Sequence, residues 1–222
     1  MRRIPGWPAT ISNSDLHDSP VALRLLRLSD ARAFQEIRAR NAAWLRPSAQ
    51  SNPEKVPQSS SLHRVRSMAQ PAWRLVRLVL APRLGRTVSW TVTYGGRVVG
   101  QFTVSSIVWG SMRSGEFGGW IDQELVRQEI MGTAAVLAVD YCFQVAGLHR
   151  LEAFVRIENA PLRRAMTKYG FRKEGVKVRL THIDGAWRDH VCYAITAEEV
   201  PEGAMVRWRS IRSANTIPAS AD

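Results

Sequence analysis

Gly115-Glu116-Phe117-Gly118-Gly119-Trp120-Ile121-Asp122, then the run from Gly132 to Ala146, then Leu151-Glu152-Ala153-Phe154-Val155-Arg156-Ile157 together decide the fold. The first stretch is glycine-rich and bounded like a strand. The second carries its polar positions Thr133, Asp140 and Gln144 on one narrow stripe, so it predicts a largely buried helix, ended by Gly147. In the third, Leu151, Ala153, Val155 and Ile157 alternate with polar neighbours along a strand over 149–157. Strand, buried helix and strand in that order predict a crossover with the two strands parallel.

Reading outward, the elements before this unit are antiparallel in character. Val88, Trp90, Val92 and Tyr94 alternate with serine and threonines, Gly95-Gly96 makes a two-residue turn, and Val98 to Ile107 returns. Further back, Val21 to Arg27 predicts a strand, and Ser29 caps a helix from about Asp30 to Leu45, stopped by Pro47. Residues 48–60 hold Pro53, Pro57 and four serines and read as a loop, and 62–86 as a basic, apolar-striped segment, helical as far as Pro82, with six arginines and no acid. After the crossover, Asn159 caps a short helix with Leu162, Ala165, Met166 and Tyr169 on one stripe, closed by Gly170. Val176–Ile183 and Trp187–Thr196 form a second hairpin about Asp184-Gly185, and the segment after Val200 is weakly patterned. The whole reads as α+β: a mixed, mostly antiparallel sheet flanked by helices. Residues 1–20 are expected as an irregular arm, 21–200 as one domain and 201–222 as a basic tail.

Composition narrows the function. The 222 residues carry 31 basic and 19 acidic side chains, a formal charge of +12, and 27 of the basic residues are arginine. At 45 % hydrophobic and 23 % charged the chain is globular rather than disordered or fibrous. No apolar run is long enough for a membrane span, and Arg2-Arg3 has no apolar stretch behind it as a signal peptide would, so the expected address is the cytoplasm. Cys142 and Cys192 each lie in an apolar element and read as buried thiols. Neither a phosphate-binding G-x-x-x-x-G-K-[ST] nor a dinucleotide G-x-G-x-x-G is present, and no spacing of cysteines and histidines suggests a metal. His149 and His190 are expected to be structural. The charge makes an anionic partner plausible without choosing one; direct nucleic-acid binding stays open.

The residues also carry a resemblance. Asn41-Ala42-Ala43-Trp44-Leu45-Arg46-Pro47, Gly118-Gly119-Trp120-Ile121-Asp122, Leu148-His149-Arg150-Leu151-Glu152-Ala153, Glu158-Asn159-Ala160, Tyr169-Gly170-Phe171-Arg172-Lys173-Glu174-Gly175 and Asp184-Gly185-Ala186-Trp187-Arg188-Asp189-His190 follow one another as in the GNAT acetyltransferases. The chain resembles the RimJ/RimL-type ribosomal-protein N-terminal (alanine) acetyltransferases over roughly 21–198. The resemblance implies the GNAT fold and acetyl-CoA as co-substrate. The cofactor would lie between the strands 115–122 and 149–157, its pyrophosphate on amides at the start of the central helix. The implied cofactor residues are Trp120, Ile121, Arg127, Gln128, Ile130, Met131, Gly132, Thr133 and Asn159; Glu116 is the implied catalytic base, and Trp44 and Trp187 would line the entry for a peptide. The implied acceptor is the N-terminal α-amine of a protein, a ribosomal protein by family, with the enzyme a monomer or dimer.

The chain departs from that family at three positions. Arg127 and Glu129 stand where glycines let the backbone approach phosphates. Glu129 adds repulsion of about 1 kcal/mol or more toward a pyrophosphate unless it points away or pairs with an arginine. Arg127, Arg163 and Arg164 are the arginines expected to meet phosphate and offset it. Leu162 stands where a serine would protonate the leaving thiolate, Met166 where other members carry a tyrosine, and Tyr169 reads as packing. Two other readings follow: a catalytically weakened GNAT-fold protein that binds ribosome or RNA, and a small-molecule amine acetyltransferase.

Overall fold

The computed structural model describes residues 11–12, 20–48, 50, 53, 85–126 and 128–216. Among the described residues eight strands form one sheet in the order β1-β2-β3-β4-β5-β6-β8-β7. They are β1 (Ile11–Ser12), β2 (Val21–Leu25), β3 (Val88–Tyr94), β4 (Arg97–Val108), β5 (Ser114–Ile121), β6 (Arg150–Arg156), β7 (Arg172–Ile183) and β8 (Ala186–Thr196). Every pairing is antiparallel except β5 with β6, the crossover predicted from the sequence. The helices are α1 (Ala31–Arg40), α2 (Ala42–Leu45), α3 (Ile130–Asp140), α4 (Ala160–Lys168) and α5 (Ala204–Thr216).

The crossover helix α3 buries residues on all sides. Ile130, Ala134, Ala135, Val136, Ala138 and Val139 are each at most 1 % exposed. That is why its sequence has so narrow a polar stripe: one side meets the sheet and another meets α5. It begins two residues before Gly132 and passes at Tyr141–Val145 into a π-helical turn, so the single helix expected over 132–146 changes its winding after Asp140. On the sheet face toward α3 lie Phe102, Phe117 and Phe171, ring centroids 5.1 and 5.4 Å apart in sequence order, with Leu151, Val155, Val191, Tyr193 and Ile195 around them.

Four further expectations change. The helix expected over about 30–45 is interrupted at Asn41, whose backbone leaves the helical region (φ −97°, ψ 13°). The Asn41 amide donates to Ile37 O and Asp122 Oδ1, both at 2.8 Å, while its Oδ1 accepts from Gln123 N, so the side chain ties the end of α1 to the β5 exit. Pro47 lies inside a final 3-10 turn, Arg46–Ser48. The second hairpin starts earlier than expected, at Arg172, because bulges at Lys173/Gly175 and Lys177/Thr181 disturb the alternation. After Val200, where patterning was weak, the chain forms α5. The expected basic helix over 62–82 lies outside the described residues.

An ion-pair network crosses the β6–β8–β7 end of the sheet. Glu174 accepts from both terminal guanidinium nitrogens of Arg150 and from one of Arg172 (2.7 Å); Arg150 also meets Glu152 (2.7 Å), and Arg172 meets Glu199. Hydrogen bonds from Arg150, reinforced by Arg172, pull the Glu174 carboxyl down to about 2. A lowered carboxylate pKa contributes stability that is present above about 4.5 and lost as pH falls toward about 2. Glu174→Gln should therefore flatten the acid side of the stability profile between those values and leave it parallel to the original above pH 5. Urea titrations at a series of pH values check this; equal slopes for both proteins would contradict it.

Candidate active site

The crossover builds a cleft. Parallel ladder pairing of β5 and β6 covers only Ser114–Glu116 against Arg150–Glu152. Beyond Glu116 and Glu152 the strands continue, each bonded to its outer neighbour, β4 or β8, but no longer to each other. Two facing strand edges with unpaired backbone groups offer donors and acceptors to an extended ligand carrying amides of its own. Glycines accommodate the close approaches here. A Cβ on Gly119 would lie 2.8 Å from Gln101 O and 2.9 Å from the Phe102 ring; one on Gly100 would lie 2.4 Å from Trp120 O.

Each diverging strand leads to a helix N-terminus. After β6, Asn159 Oδ1 accepts from Leu162 N at 3.1 Å and starts α4, as the sequence predicts. After β5, Asp122 is fixed by Arg40 and Asn41. Burial opposes its charge, yet those hydrogen bonds outweigh it and hold the carboxyl below its ordinary range. The chain then turns at Glu129 (φ 58°, left-handed) into α3. Thr133 N donates to Glu129 O at 2.9 Å; the N–H groups of Ile130, Met131 and Gly132 precede the first intrahelical bond and point out of the helix end.

The implied cofactor residues fall into distinct settings. Ile121 and Ile130 are core side chains, 2 % and 1 % exposed. Thr133 is buried and accepts a hydrogen bond from Trp208 Nε1 at 3.2 Å. Gly132 lies beneath the same indole: a Cβ there would meet the Trp208 ring at 2.3 Å. The side chains of Ile121, Ile130 and Thr133 are thus committed to packing. Met131 is half-buried against the core and Gln128 is exposed. Arg127 lies outside the described residues. Trp120 is half-buried on the opposite sheet face, edge-on to Phe34 at 5.5 Å, under the Arg38 guanidinium at 4.8 Å, with its Nε1 donating to Gln101 Oε1.

Glu116 shares that face. It is exposed and sits at the last bonded pair before β5 and β6 part, opposite Glu152. Trp44 and Trp187 are 37 % and 55 % exposed, and Trp187 stands edge-on to His182. Around α4, Met166 is buried and Leu162 half-buried against the core. Tyr169 packs edge-on against Trp208 at 5.6 Å, and burial pushes its phenol up to about 12, in keeping with a packing role. His149 pairs with Glu198 and His190 is buried, its Nδ1 2.9 Å from Arg188 O. Cys142 is buried; Cys192 is half-buried, more accessible than expected.

Glu129 finds its cations at Lys168 Nζ (3.2 Å) and Arg212 Nε (2.7 Å), rather than at Arg163 or Arg164. Arg212 belongs to α5, the element that sequence reading missed. Asp140 holds the start of α5 by accepting from Ala204 N (2.5 Å) and Met205 N (3.0 Å), although burial pushes its carboxyl up. Two signals were available: Gly203, with φ 102°, and the spacing of Met205 and Trp208.

The open, mixed sheet of the described residues, parting at the β5–β6 parallel pair that a buried crossover helix connects, is that of the GNAT acyltransferases. Residues 21–172 match the acetyltransferase (GNAT) domain family, and the chain belongs to it. It is similar to the structure of Mycobacterium smegmatis RimJ in complex with CoA-disulfide, at 34 % identity and a TM-score of 0.81, covering 94 % of this chain and 97 % of that one. It is 35 % identical over 99 residues to a probable N-acetyltransferase, YjcK, of Bacillus subtilis, covering 45 % of this chain and 55 % of the relative. It is 30 % identical over 106 residues to the [ribosomal protein uS5]-alanine N-acetyltransferase of Escherichia coli, covering 48 % and 55 %. The match thus spans about half the length of these curated relatives. Among the described residues no helix is long and apolar enough to cross a membrane, and no three histidine, cysteine or acidic side chains cluster as a metal site would require.

Proposed function

We propose that this protein transfers acetyl from acetyl-CoA to the N-terminal α-amine of a protein, with a ribosomal protein as acceptor. The observations that support it are the parting of β5 and β6 beyond Glu116 and Glu152 and, on the connection that leaves β5, the N–H groups of residues 130–132 ahead of the first intrahelical bond. The fit is chemical. The pantetheine arm has amides to match open strand edges, and a pyrophosphate suits amides at a helix start. Acetyl-CoA supplies the activated thioester; the chain's residues do the rest. The backbone of 130–132 holds the phosphates, the strand edges align the arm, and Asn159 holds α4 in place beside it.

The acceptor enters on the face of Glu116, Gly118 and Trp120. The neutral amine attacks the thioester carbonyl, forming C–N as C–S breaks. The thiolate leaves with the electron pair, and the proton lost by the nitrogen passes through water to Glu116. An α-amine titrates near ~7.7–8.0, against ~10.4 for lysine, so a useful fraction is already neutral at pH 7. A thiol of pKa near ~8.5 leaves without an acid, which suits a site with Leu162 and Met166 in the acid positions.

Calorimetric titration with acetyl-CoA, followed by mass spectrometry of a panel of peptide N-termini, polyamines and aminoglycosides, tests the reading. We expect saturable binding and acetylation confined to peptide α-amines. Absence of binding at millimolar acetyl-CoA would defeat it; transfer confined to polyamines or aminoglycosides would assign a small-molecule acceptor instead. In the unliganded protein the ion pairs of Glu129 balance its charge, which is one of the three departures, with Arg127 and Leu162, behind the reading of a catalytically weakened binding protein.

A further inference from the structure

Glu129 is an unusual residue for its place. Its φ of 58° is disfavoured for any residue with a Cβ, and its carboxylate stands at the start of α3, beside the N–H groups that the proposed function assigns to phosphate. Two cations from separate elements converge on it: Lys168 from the end of α4 and Arg212 from α5. The three side chains are 35 %, 37 % and 42 % exposed, so all can be reached by a ligand arriving at the helix end. A carboxylate bridging two cations beside a row of free amides has the charge and the setting of a bound phosphate group.

We propose that Glu129 is an internal competitor of the cofactor's phosphates, a positioning residue that sets CoA affinity. Without ligand, its carboxylate engages Lys168 and Arg212. When a pyrophosphate seats on the amides of 130–132, the same cations turn toward it, and Glu129 loses partners while facing a like charge. The exchange subtracts from the binding free energy. It weakens acetyl-CoA and product CoA alike, because both carry the same phosphates, and so favours release of CoA after transfer. The inference rests on the acetyl-CoA reading above.

The test compares the full chain with Glu129→Gln, which keeps size and removes charge, and with Arg212→Gln. Titration calorimetry at low salt should show CoA binding about fivefold tighter to Glu129→Gln than to the original protein, and severalfold weaker to Arg212→Gln. The gain should shrink as salt screens it. Pantetheine, which has no phosphate, should bind both equally, and inorganic pyrophosphate should raise the melting temperature of Glu129→Gln more than that of the original. A residue that merely anchors α5 would give the opposite sign: losing the carboxylate would loosen the site and weaken CoA. Equal or weaker CoA binding by Glu129→Gln, with the original protein binding normally, overturns the inference alone. If Glu129→Gln does not fold, Arg212→Gln decides, and CoA affinity unchanged by it overturns the inference. If the original protein does not bind CoA, the acetyltransferase reading falls, and the inference with it.

Discussion

Trp208→Ala is expected to lower the unfolding free energy by about 3–5 kcal/mol, the range for emptying a large aromatic from a buried site. The indole is 2 % exposed, packs against Tyr169, carries Lys168 over its face at 5.0 Å and donates to Thr133. Gly132→Ala should be destabilising for the converse reason. At an ordinary helical position this change adds about 1 kcal/mol of stability. Here the new methyl would meet the Trp208 ring at 2.3 and 2.4 Å, and a buried ring has nowhere to swing. Overpacking costs about 1–3 kcal/mol and wins. The two changes should compensate, since a methyl at 132 occupies space that Trp208→Ala empties. The double variant should therefore be more stable than the sum of the single losses. Urea denaturation of the four proteins measures it; strict additivity would mean that the two residues do not share this space.

Glu116→Gln should reduce kcat/KM for a peptide acceptor about 100-fold at pH 7, at the low end of general-base effects because the amine is partly neutral unaided. The loss should shrink as pH rises through the amine's own titration near ~8, while KM for acetyl-CoA stays the same. The side chain is exposed, so the variant should fold as the original does. Steady-state release of CoA thiol across pH 6–9 reads the effect. A loss under threefold at every pH would remove Glu116 from the chemistry and leave solvent as the base.

The crossover and both hairpins were legible because each is written in local patterns: alternation in Val88–Tyr94, glycine turns at Gly95-Gly96 and Gly185, and the Asn159 cap. The break at Asn41 was not, because it depends on Asp122, 81 positions later. The cleft was legible only through resemblance, since a ladder that ends at Glu116 and Glu152 leaves no mark in periodicity. Glu129 was flagged correctly as a charge needing a partner. Its partners lay on α4, at Lys168, and on α5, whose arginines mask a short apolar stripe and whose start is fixed by Asp140, distant in sequence. Long-range polar contacts of this kind decide structure without leaving a local signal. The charge surplus likewise could not reveal that Arg24, Arg40, Arg150, Arg172 and Arg212 are committed to carboxylates within the fold.

The docking of α5 has a bearing on biosynthesis. A polypeptide is made from its N-terminus, and structure forms as segments emerge at about 5–20 residues per second. The sheet and the crossover can assemble before residue 204 exists. Gly132 is then uncovered and Glu129 lacks Arg212, so the nascent protein exposes an apolar strip at the start of the crossover helix. Only when Ala204, Trp208 and Arg212 arrive does that helix start gain its cover. A product terminated before residue 204 has every strand of the sheet but neither the indole of Trp208 over Gly132 nor the Arg212 partner of Glu129.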